Sequence, residues 1–176
     1  MMRRLLLLDD EPMVLSALAR ELRQHFAPAT MRIETFTDPF AALQRVAECS
    51  FDIALSDLRM PLMSGATFLH ALRDGAPATV RMILSASTDF ASVSGAIAEA
   101  QVFRYIAKPW QIDSLCTAIV DALAFRDEVQ AELHLADRQR VHDGVLSPQQ
   151  LEEKLLEEEE PGLLKVKWGP NGEIIL

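Results

Sequence analysis

Short apolar runs and longer amphipathic segments alternate along the first two-thirds of the chain. The runs RRLLLL (3–8), MRIETF (31–36), FDIALS (51–56), VRMILS (80–85) and VFRYIA (102–107) have the length and apolar content of strands buried on both faces. The segments between them carry helical spacing. Over 12–26, Val14, Leu15, Leu18, Leu22 and Phe26 recur at i, i+3 or i+4, and Pro12 suits a first helical turn. Asp38 and Pro39 open the next helix as cap and first position, with Phe40, Leu43 and Val46 as its inner stripe. Further helices are predicted at about 65–74, 88–99 and from 110 onward. Five βα repeats of this length predict an α/β fold, a doubly wound parallel sheet with right-handed crossovers.

The last of these helices outruns the repeat. Positions 115, 119, 122, 126, 129, 133, 136 and 140 are Leu, Ile, Ala, Arg, Val, Leu, Ala and Arg, a heptad-like stripe that weakens towards its end. Two readings stay open: a helix that packs on its own sheet to about Leu123 and then frays, or one that protrudes and pairs with a second copy. Gly144 is placed to stop it. A further helix then starts with Ser147 as cap, Pro148 in the first turn and Gln150 in the capping-box position, and ends at Pro161-Gly162. The final stretch, LLKVKWGPNGEIIL, reads as a β-hairpin around a Gly-Pro-Asn-Gly turn. A two-stranded hairpin is marginal alone, so it is expected to dock on its own domain or on a partner. The division predicted is a domain over 1–125, a helical extension over 126–146, and a helix with hairpin over 147–176.

Composition narrows the picture. The chain of 176 residues is 49% apolar and 24% charged, with a formal net charge of -9. Residues 143–176 carry eight acids against three lysines, and neither part has the basic footprint of a nucleic-acid binder. The start, MMRRLLLLDDEP, imitates a signal peptide, but its four leucines run directly into three acids. No stretch approaches the ~20 apolar residues of a membrane helix. Cys49 and Cys116 lie far apart with no metal-like spacing, which fits a reducing compartment. The expectation is a soluble cytoplasmic protein with no nucleic-acid or membrane partner.

Ligands of parallel sheets bind at the carboxyl ends of the strands, so the chemistry is sought there. The first run ends in Asp9 and Asp10, the third in Asp57, the fourth in Ser85, and the fifth in Lys108 before Pro109. Three crowded carboxylates repel unless a cation holds them. An all-oxygen set favours a hard ion such as Mg2+. A carboxylate on such an ion beside a lysine is a nucleophile for phosphoryl transfer, with Ser85 able to donate a hydrogen bond to a phosphoryl oxygen.

The pieces LLLLDDEP, DIALSDLRMPLMSG, MILSAS and FRYIAKPW, in this order, resemble a response-regulator receiver domain of two-component signal transduction. The resemblance covers residues 1 to about 125 and implies a (βα)5 flavodoxin-like fold. It implies that Asp57 accepts a phosphoryl group from a histidine kinase. It implies further that Asp9, Asp10, Asp57 and the backbone carbonyl of Arg59 hold Mg2+, and that Ser85 and Lys108 contact the phosphoryl group. Ser85 and Tyr105 would then act as the switch pair, Arg59 and Ser87 would tune the phosphoryl lifetime, and Lys108-Pro109 would be cis. His134, in ELHLADR, lacks the flanking residues of a phosphorylatable histidine.

The resemblance leaves the output open. The chain is too short for an appended effector domain, so the expected output is contact with a kinase, an effector protein or a second copy through the extended helix or the hairpin. The alternatives are a phosphorelay shuttle or phosphate sink, and a hydrolase using aspartyl-phosphate chemistry. The position of Asp57 on the third rather than the first strand counts against the hydrolase.

Overall fold

The computed structural model describes residues 2–86, 95, 98–159 and the short segments 167–168 and 174–175. The chain runs β1 (Arg3–Leu8), α1 (Pro12–His25), β2 (Met31–Phe36), α2 (Pro39–Glu48), β3 (Ile53–Ser56), α3 (Gly65–Gly75), β4 (Val80–Ala86) and β5 (Arg104–Lys108). It continues with α4 (Ile112–His142), α5 (Pro148–Glu159), β6 (Lys167–Trp168) and β7 (Ile174–Ile175). The first five strands form one parallel sheet in the order β2-β1-β3-β4-β5.

Leucine periodicity explains how this sheet is covered. Successive strand residues point to opposite faces, so a run of four leucines supplies two cores at once. Leu5 and Leu7 join Ile53, Leu55, Met82 and Leu84 beneath α1 and the first half of α4, against Leu15, Leu18, Leu115 and Ile119. Leu6 and Leu8 face the other way, with Ala54 and Ile83, against Ala42 and Val46 of α2 and Phe68, Leu69 and Leu72 of α3. The helices start where local chemistry allows it. The Asp38 side chain accepts from the Phe40 N–H, Ser64 Oγ accepts from the Thr67 N–H, and Ser147 and Gln150 cap each other reciprocally.

Strand starts shift from expectation at two places, and β4 and β5 each run one residue further, to Ala86 and Lys108. β3 begins at Ile53 because Asp52 turns its carboxylate back to accept from the backbone N–H of Arg4 at 2.6 Å. β5 begins at Arg104 rather than at residue 102. The helix expected over 88–99 lies outside the described residues except at Gly95 and 98–99.

The long helix does not fray at Leu123. α4 runs to His142, and Gly144 follows it with φ +72°, the left-handed conformation that ends a helix. Arg126, the charged interruption of the apolar stripe, is held by Asp52 at 3.1 Å, which pins the helix to the amino-terminal edge of the sheet. α5 then folds back antiparallel: Lys154 pairs with Asp137, and Glu158 meets His134 at 3.0 Å. The Ser50 hydroxyl donates to the Glu158 carbonyl at 3.1 Å, joining the end of α5 to the loop before β3. β6 and β7 pair antiparallel. No described helix is long and apolar enough to cross a membrane.

Candidate functional site

Parallel strands bring their carboxyl ends to one edge, and four of them deliver polar side chains there. Asp9 follows β1, Asp57 follows β3, Ser85 is the last residue but one of β4, and Lys108 closes β5. Asp9 is 2% exposed and Asp57 is 7% exposed. Two carboxylates so buried need a counter-charge, and Lys108 supplies it. Its Nζ stands 2.6 Å from Asp9 Oδ2 and 2.6 Å from Asp57 Oδ1. The Lys108-Pro109 peptide is cis.

Backbone donors complete the hold on both acids. The Arg59 N–H donates to Asp57 Oδ2 at 2.7 Å, and the Glu11 N–H donates to Asp9 Oδ1 at 2.9 Å. Burial is the largest influence on Asp57 and pushes its pKa above the usual carboxylate value, against the pull of Lys108. Burial acts to lower Lys108, yet its hydrogen bonds and charge contacts with Asp57 and Asp9 outweigh this and leave its pKa raised. The site is thus a tightly coupled ammonium–dicarboxylate cluster.

Of the residues singled out in the sequence, Asp9, Asp57 and Lys108 are in direct contact. Asp10 is half-buried beside Asp9, and Arg59 is exposed above Asp57. Ser85 is buried at the end of β4. The Tyr105 hydroxyl donates to the carbonyls of Ser85 and Ala86, at 3.2 and 2.5 Å, while its ring packs partly buried against the core beneath α2 and α3. The tyrosine is thereby tied to the same strand end that carries the serine. Ser87 lies outside the described residues.

Two supporting residues carry no role in the sequence reading. A Cβ on Gly65 would fall 1.8 Å from the Asp57 carbonyl oxygen, so only glycine lets α3 start against the backbone of the acid. The Ser56 hydroxyl donates to that same carbonyl at 2.8 Å. Gly65 sits directly after the Ser64 cap, the one signal of its position visible along the chain.

Among the described residues no three His, Cys, Asp or Glu side chains form a ready-made metal cluster. The donors at this edge nevertheless fit a hard divalent ion. Two carboxylates that already share one cation, with a third acid adjacent in sequence, match the one or two carboxylates and water-rich shell that Mg2+ takes.

A family model for the response regulator receiver domain matches residues 5–120. The chain belongs to that family. Receivers of this family are phosphoacceptors that interact with histidine kinases and bind Mg2+ at the phosphorylation site. The match to the hydrogenase transcriptional regulatory protein HoxA of Cupriavidus necator is 30% identical over 75% of this chain and 26% of the relative. The transcriptional regulatory protein KdpE of Mycobacterium tuberculosis is 33% identical over 73% of this chain and 54% of its own length. The chain therefore spans a quarter to a half of these relatives. Among solved structures, the adenylate cyclase from Rhodopirellula baltica superposes with a TM-score of 0.70 at 28% identity, covering 78% of this chain and 98% of that chain. The names of these proteins describe different outputs. What they share with this chain is the receiver.

Proposed function

We propose that this receiver is a phosphorylation-dependent switch in which Asp57 takes a phosphoryl group from a phosphohistidine of a histidine kinase and reports it through protein contacts. The observation that carries the reading is the Lys108 ammonium shared between buried Asp57 and Asp9 at 2.6 Å. An Asp57 carboxylate oxygen attacks phosphorus, the phosphorus–nitrogen bond breaks, and the imidazole leaves with the electron pair. Lys108, already on the nucleophile, follows the charge onto the phosphoryl oxygens. The buried Ser85 hydroxyl stands at the next strand end to donate to one of them. Asp9, Asp10, Asp57 and the Arg59 carbonyl would hold Mg2+, whose charge offsets that of the phosphoryl oxygens when bound. Tyr105 reads the state of the β4 end that carries Ser85 through its hydroxyl. Residues 1–125 form the receiver, 126–146 the extension and 147–176 the helix-and-hairpin tail, and the last two serve as the contact surface.

Incubation with acetyl phosphate and Mg2+, followed by intact-mass measurement, tests the assignment. The wild type gains one phosphoryl group. Asp57→Asn gains none, and its Mg2+ affinity is weakened rather than abolished. Persistent labelling of Asp57→Asn overturns the assignment.

A further inference from the structure

Past Ala122 the long helix leaves the sheet, and its faces divide. Arg126, His134 and Asp137 take the side that meets Asp52 and α5. The apolar stripe is left on a different side. Phe125, Val129 and Leu133 recur at i, i+4 and i+8 and are 45, 36 and 48% exposed, with exposed Ala136 continuing the row. Phe125 stacks on Phe103 at 5.0 Å, so the stripe is continuous with the body of the receiver. Val145, in the turn to α5, is exposed as well.

We propose that this face binds the same face of a second copy, with the two α4 helices antiparallel. The heptad-like spacing is what two identical helices need to interlock. The charges choose the orientation. A parallel pair would set Arg140 against the second copy's Arg140, and Glu132 against its Glu132. An antiparallel pair with its two-fold axis between Leu133 and Ala136 sets Arg140 between the second copy's Glu128 and Glu132. The same register brings Leu133 onto Ala136 and Phe125 onto Val145. Leu133, Ala136 and Phe125 then meet apolar partners, and Val129 lies under the aliphatic stem of the second copy's Arg140. The surface builds on the reading of the extension as a contact surface. It lies outside the phosphoacceptor site, so its test on unphosphorylated protein fails or succeeds independently of Asp57 labelling.

The test is light scattering of the full chain across a concentration series. The wild type is expected to reach twice the monomer mass. Leu133→Glu, an exposed change whose fold is checked by circular dichroism, raises the dissociation constant at least tenfold. Arg140→Glu also weakens association, and combining it with Glu128→Arg and Glu132→Arg restores it. Residues 132 and 140 lie about 12 Å apart along one helix, so that rescue requires a second copy in the antiparallel sense. A monomer at every concentration overturns the proposal and leaves the stripe to the chain's own tail or to another protein. A dimer indifferent to Leu133→Glu overturns it too, as does a triple variant no tighter than Arg140→Glu alone.

Discussion

A methyl group on Gly65 would collide with the carbonyl of Asp57, and neither partner is the free end of a flexible side chain. Gly65→Ala is therefore expected to cost about 1–3 kcal/mol of stability, as overpacked sites do, and to slow phosphoryl acceptance by displacing the acid. Urea unfolding and the rate of mass gain with acetyl phosphate check the two effects. Lys108→Ala removes the shared cation and leaves Asp57 and Asp9 facing each other. Acceptance should fall about 10²-fold, the usual scale for losing a positioned donor at a developing charge. The acids, the serine and the lysine were legible in the sequence because each closes an apolar run, and strand ends of a parallel sheet share one edge. Gly65 was not legible as a site residue. Its necessity comes from the approach of α3 to the Asp57 backbone, which no spacing along the chain displays.

Arg126 shows the same division at the scale of elements. Along the sequence it is a flaw in the apolar stripe of α4, and in space it is the residue that meets Asp52. Asp52 also holds Arg3 and the Arg4 N–H, so Asp52→Ala strands three donors at once. The expected loss is about 1–3 kcal/mol, read from urea unfolding. The helix boundaries were legible through Pro12, Asp38 and Ser147, whose chemistry is local. The return of α5 onto α4 was not, since it rests on Lys154 reaching Asp137 across the turn. The Lys154 hydrogen bond holds the Asp137 pKa below the usual aspartate value. A depressed carboxylate stabilises the fold above its unfolded pKa, near 3.9, and that contribution is lost as pH falls through the folded value. Acid should thus loosen α5 while the receiver sheet persists. Hydrogen exchange of α5 amides in acid would rise in the wild type and already be high at neutral pH in Asp137→Ala.

At the scale of the whole molecule the two ends of β3 do different things. Its carboxyl end leads into Asp57, and its amino end is preceded by Asp52, where α4 is moored and where Ser50 meets the end of α5. The phosphoacceptor edge and the extension therefore lie on opposite rims of one sheet, and the first does not need the second to be built. A chain ending at His142 should take up a phosphoryl group at a rate within about twofold of the full chain, since the Asp57–Lys108–Asp9 cluster loses no contact. A large drop in labelling would show the tail to be part of the site.

The mooring point also offers a spectroscopic handle. The Nε–H of Arg126 is buried and meets no acceptor among the described residues, while its Nη1 is held by Asp52. Shielded from water, that proton should exchange slowly and give a separate resonance in a nitrogen-15 spectrum of the intact chain. One line, at the far rim from Asp57, would then record whether events at the acid are felt where the long helix is attached.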